Sequence, residues 1–151
     1  MGKLSTFNLK PLNIKTMTIQ DIKKQQQEKY NTLLNECKVF WAFSNEQFAA
    51  NKTPLQEGEK YVSIGAGGYM PKGSIDKYIQ GSNEIKKWYS ATIKATKNAR
   101  RDNIVYELAN HECYYTGDIK EAIAALGAGY TYKEVYKVYS ETREQQTTQT
   151  A

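Results

Sequence analysis

Four glycines and a proline crowd the nine residues 65–73 (GAGGYMPKG), a composition that frees backbone torsions and exposes N–H groups. With Lys72 beside them and a helix start at Ser74, the segment could seat an anion or meet another macromolecule. The contact residues it offers are Gly65, Gly67, Gly68, Tyr69, Lys72 and Ser74. Its spacing fits neither G-x-x-x-x-G-K-[ST] nor G-x-G-x-x-G, because Lys72 precedes Gly73 and Ser74, so the known nucleotide loops are excluded. A purely structural turn is the competing reading.

Residues 110–118 (NHECYYTGD) gather a histidine, carboxylates, a thiol and phenols near a helix end. Glu107 and His111 lie four apart on one helix face, so Glu107 could orient the imidazole for acid–base work, with Glu112 or Asp118 as other carboxylate partners. A histidine in a last helical turn also satisfies carbonyls and complements the helix dipole, which is the structural alternative. The zinc-protease pattern H-E-x-x-H fails at Tyr115, and the chain has one histidine and two cysteines without C-x-x-C spacing. Neither a metal nor a cofactor is expected. Cys37 and Cys113 read as free, mostly buried thiols of a reducing compartment.

The third candidate is electrostatic. Residues 86–101 hold six basic side chains and no acid, in a chain of formal charge +5. Lys86, Ser90, Lys94, Lys97 and Arg101 fall on one stripe at helical spacing, with Tyr89 beside it. Such a stripe could follow a phosphate backbone, meet an acidic protein, or be a solvated helix face. Twelve tyrosines, four of them at 130, 132, 136 and 139, suit either half-buried core or an interface, including self-association.

These residues need elements to hold them. The 151 residues suit one domain, and no apolar run approaches the roughly 20 residues that cross a bilayer. The start lacks a secretory apolar stretch, so a cytoplasmic protein without membrane contact is expected. Residues 1–17 read as an N-terminal arm, 18–144 as one globular domain, and 145–151 as a polar tail that frays. Thr18 with Asp21 caps a helix to about Glu36, and residues 39–43 and 60–64 read as short strands, the first of them buried. Ser44 with Gln47 caps a short helix ending before Pro54. Ser74 caps a second short helix that Gly81 ends, and the basic helix then runs toward Asn98. A further helix spans about Asp102 to Cys113, joined to the basic helix by a tight turn or continuous with it. Asp118 with Glu121 and Thr131 with Glu134 form capping boxes for the last two helices, the first ended by Gly127 and the second running to about Glu144. The fold class is α+β, mainly α, with about six helices, two short strands and the glycine-rich loop.

Residues 41–48 (WAFSNEQF), 58–72 (GEKYVSIGAGGYMPK) and 110–118 together resemble uncharacterised small proteins of phages and mobile elements of gut Bacteroidales, including crAss-like phages. The resemblance covers about residues 17–139 and implies a setting without a mechanism. It favours host-defence inhibitors, host-takeover factors, nucleic-acid binders and virion parts over metabolic enzymes. The expected function is a small non-enzymatic accessory binder that docks a host protein or a nucleic acid through the glycine segment and the basic helix. A small enzyme centred on His111 is one alternative, and a virion or assembly component is another.

Overall fold

The computed structural model describes residues 17–150, with side chains through residue 145. Apart from Met17, the expected N-terminal arm lies outside the described residues. The fold is mainly helical α+β, with seven α-helices and one three-stranded antiparallel sheet among the described residues. Two compact units divide the described residues, 22–91 and 17–21 with 92–150.

Helix α1 (Ile19–Glu36) opens on the expected box: Asp21 N donates to Thr18 Oγ1 at 3.1 Å, and Thr18 N to Asp21 Oδ2 at 3.0 Å. Strand β1 (Phe40–Trp41), helix α2 (Asn45–Asn51), strand β2 (Tyr61–Gly65) and strand β3 (Gly68–Pro71) follow, in the sheet order β1-β3-β2. Phe40 pairs with Tyr69, and Val62 with Met70. One sheet face carries Phe40, Tyr61 and Tyr69, whose rings pack with Phe48 of α2 at centroid distances of 5.1 to 5.7 Å. The other face joins a core of Leu33, Cys37, Met70 and Ile85, with Val62 and Ile64 packed against it.

The glycine-rich stretch is therefore a strand for much of its length, not a loop. Ala66 and Gly67 form a two-residue hairpin turn with φ of +51° and +82°, the positive pair that matches strand twist. Gly68 and Met70 are then buried on alternate residues. An alanine at positive φ is strained by about 1 kcal/mol. Ala66→Asn, which suits that torsion, is expected to raise unfolding stability by roughly that amount, measured by urea titration.

Gly81 does not end a helix. After a 3-10 turn (Lys72–Ser74), helix α3 (Ile75–Ala95) runs through it without a break, so the expected short helix and the basic helix are one. The reason is packing: a Cβ on Gly81 would lie 2.4 Å from Leu33 Cδ1, so only hydrogen there lets Leu33 sit where it does. The Ser74 cap is also displaced, since the 3-10 turn starts from Pro71, which makes no side-chain cap bond.

In the other unit, residues 96–98 make a tight turn with Asn98 at φ +66°, between α3 and α4 (Ala99–Asn110). Helices α5 (Cys113–Thr116), α6 (Lys120–Leu126) and α7 (Tyr132–Thr150) complete it. Ile104, Leu108, Cys113, Ile119, Ala122, Val135, Val138 and Tyr139 form its core. Glu134 N donates to Thr131 Oγ1 at 3.2 Å, as the capping box requires, but the Glu134 carboxylate turns to Arg100. Both of its oxygens accept from Arg100 at 2.6 Å, and the same guanidinium reaches Gly129 O at 2.5 Å and lies 4.1 Å from the Tyr130 ring centroid. The backbone of α7 continues as helix to Thr150, into the stretch expected as tail.

The hydrogen bonds from Arg100 hold the Glu134 carboxyl below its ordinary value of 4.5. A depressed carboxyl contributes stability above its unfolded pKa and loses it as pH falls through the folded one. Arg100→Gln is therefore expected to be less stable than the parent at pH 7, by up to about 1 kcal/mol for so exposed a pair. The gap closes as pH falls below about 4.5, which melts at pH 7, 5 and 3 will read.

Candidate functional site

The hairpin carries two aromatic rings on glycine backbone. A Cβ on Gly67 would meet Phe43 Cε1 at 2.4 Å, and one on Gly68 would meet Trp41 Cζ3 at 2.7 Å and Ile64 Cγ1 at 2.8 Å. The missing side chains are what let both rings lie against the turn. Phe43 is nevertheless 76% exposed and Trp41 45%. The expected buried strand at 39–43 is thus only half buried: Phe40 and Ala42 point inward, while Trp41 and Phe43 alternate outward.

The backbone beneath the rings is held at several points. Ala42 N donates to Gly67 O at 2.8 Å, Asn51 Nδ2 to Trp41 O at 2.8 Å, and Phe43 N to Gln47 Oε1 at 2.8 Å. Gln47 N in turn donates to Ser44 Oγ at 3.1 Å, the predicted cap of α2. Two large apolar side chains carried into solvent on a held backbone make a contact surface whose main chain needs little further ordering on binding. Neither Trp41 nor Phe43 was among the contact residues expected from sequence. The available signal was the period-two alternation of FWAF immediately before a capping box.

The expected contacts divide. Gly67 and Gly68 lie under the rings, and Gly65, at φ +90°, leads into the turn with its N–H on Ser63 Oγ at 3.2 Å. Tyr69 stacks on Phe40 at 5.7 Å, within the aromatic cluster. Lys72 lines a separate cavity of about 460 Å³ with Gln56, Glu57, Glu59, Lys60 and Gly73. There Glu59 Oε2 sits 2.6 Å from where a Cβ on Gly73 would be, so the chain's own carboxylate lies where an anion was expected. Ser74 O accepts from the Cys37 thiol at 3.9 Å.

The basic stripe is interrupted. Lys86, Ser90 and Lys94 are exposed residues of α3, but that helix ends at Ala95 and Lys97 falls in the turn. Arg101 belongs to α4 and holds Glu141 at 2.7 Å, which lowers the Glu141 pKa. Tyr89 accepts a hydrogen bond from Lys23 Nζ at 3.0 Å, and Lys29 Nζ lies 4.7 Å from the Trp88 ring centroid.

His111 caps the end of α4, where its backbone N–H donates to Glu107 O at 3.1 Å. Its Nδ1 pairs with Glu121 Oε2 at 3.6 Å, and not with Glu107, whose side chain is buried on α4. Glu121 is thus drawn away from the expected capping box. Helix α6 starts at Lys120, whose N–H is capped by Asp118 Oδ1 at 3.0 Å. Glu112 is exposed in the left-handed region at φ +55°. Cys37 and Cys113 are free and buried, and burial pushes both thiols up, away from the reactive thiolate.

Among the described residues no group of three or more His, Cys, Asp or Glu is placed to hold a metal ion, and no helix is long and apolar enough to cross a membrane. No curated protein and no solved structure matches the chain. A family of unknown function, DUF7659, does match, over residues 18–145, from the cap of α1 into α7. The chain, with its glycine hairpin inside that match, belongs to this family.

Proposed function

We propose that the protein is a non-enzymatic accessory binding protein of a phage or mobile element, which docks a host protein through the aromatic face of its glycine hairpin. The observation that carries this is the exposure of Trp41 and Phe43 on a backbone fixed by four hydrogen bonds. Exposed aromatic anchors of this kind dominate binding energy at protein interfaces. Inhibition of a host defence system, in the host cytoplasm, is one form of the function.

A nucleic acid is the second reading, favoured by the exposed Lys86 and Lys94 on α3. The ion pair at Arg101 weakens it, since that cation is already engaged. Affinity capture from a bacterial host lysate, run with and without nuclease, separates the two. Host protein retained after nuclease by the parent, and lost with Trp41→Ala/Phe43→Ala, is the expected outcome. Capture abolished by nuclease, and by Lys86→Glu/Lys94→Glu, would favour the second reading.

A further inference from the structure

The two edges of the three-stranded sheet differ. Lys72 N donates to Lys60 O at 2.7 Å, so residues 60 and 72 form a hydrogen-bonded pair, and by alternation so do Val62 and Met70. Tyr61 and Ser63 then turn their N–H and C=O groups away from β3, toward the outer edge. Pro71, opposite Tyr61, agrees with this, since its missing N–H is not needed for the β2 ladder. On β1 the outer edge is blocked: Trp41 O accepts from Asn51 Nδ2, and just before the strand Val39 N donates to Leu34 O at 2.9 Å. On β2, among the described residues, neither Tyr61 nor Ser63 has a backbone hydrogen bond to any further segment.

We infer that β2 is a strand-addition edge whose occupant is β2 of a second copy, antiparallel about a twofold axis at Val62. Antiparallel pairing of one strand with itself is self-complementary, as a twofold interface requires. Tyr61 of each copy faces Ser63 of the other, so four outward N–H and four outward C=O groups meet in two hydrogen-bonded pairs. Val62 faces Val62 across the axis in the closer, non-hydrogen-bonded pair. The charge pattern fits: residues 61–65 carry no charge, and each Lys60 lies across from Ile64 of the second copy, so no like charges oppose. The seam is short, and buries less than the roughly 1,200 Å² of ordinary stable interfaces. The dimer is consequently weak, forming at roughly 100 µM and above. This pairing is independent of docking by Trp41 and Phe43.

Two measurements on the full chain test it. In sedimentation equilibrium from about 10 µM to 1 mM, the mass is expected to rise from 17.2 kDa toward twice that value. Ser63→Pro removes the outward N–H, along with the hydroxyl that accepts from Gly65 N, and should keep the mass at the monomer value across the same range. Under mild oxidation, Val62→Cys is expected to give a covalent dimer, because facing Cα atoms in a non-hydrogen-bonded pair are about 4.5 Å apart. Ser63→Cys should not, since the two copies of that residue are displaced along the seam. Val62→Cys needs no proline, so it decides the matter even where Ser63→Pro does not fold. A mass that stays monomeric at 1 mM, or equal cross-linking from residues 62 and 63, overturns the inference.

Discussion

Alanine at both Trp41 and Phe43 will lower affinity for the host protein proposed to dock there by at least about 100-fold while leaving the fold in place. Central aromatic anchors cost about 2 kcal/mol or more each when truncated, and 1.4 kcal/mol is tenfold. Independent losses would multiply to about 1,000-fold; the two rings sit on adjacent glycines of one turn, so their contributions are expected to couple and fall short of that. Stability should change far less, because Phe43 is 76% exposed and its removal empties no core. Calorimetric titration of the captured partner, beside urea unfolding of the same variants, checks both halves. The pairing of large affinity loss with small stability loss is what separates a contact surface from ordinary packing.

Gly81→Val will destabilise the 22–91 unit by about 3 kcal/mol, although valine is the better helix former. Glycine within a helix costs about 1 kcal/mol relative to alanine, so an ordinary exposed site would gain from the change. Here the first added carbon falls 2.4 Å from Leu33 Cδ1 and 3.2 Å from Leu33 Cγ, and Leu33 is buried between α1 and α3. Overpacking of that kind costs about 1–3 kcal/mol even after side chains shift. Leu33→Ala alone should also destabilise, by about 2–5 kcal/mol, through the cavity it leaves. Combined with Gly81→Ala it should cost less than the sum, because the new methyl enters the vacated space. Urea unfolding of Gly81→Ala, Leu33→Ala and the double variant measures the coupling, and strict additivity would mean the two residues do not touch.

Much of the helical framework was legible because its signals are local. Thr18 with Asp21, Ser44 with Gln47 and Thr131 with Glu134 each place a hydroxyl three residues before a backbone N–H, and each makes the expected bond. Where the signals failed, a long-range partner had taken over the residue. Gly81 reads as a helix stop until Leu33 is seen beneath it, and Glu121 reads as a cap until His111 is seen beside it. Strand β3 was hidden because the glycines of its first residue and of the turn before it read as loop composition, when Gly67 and Gly68 are bare for the sake of Phe43 and Trp41. The rings themselves were missed for the same reason. A run of aromatics reads as buried, and only the two-residue alternation assigns half of it to solvent.

Fluorescence of Trp41 tests the central claim most directly. The chain has two tryptophans, so Trp88→Phe leaves Trp41 as the sole indole reporter, on a face with 45% of it open to water. Host protein retained after nuclease treatment is titrated into this variant. Emission is expected to shift to shorter wavelength, and acrylamide quenching to fall, in step with binding. Binding that proceeds with Trp41 emission and quenching unchanged would contradict docking through the glycine hairpin.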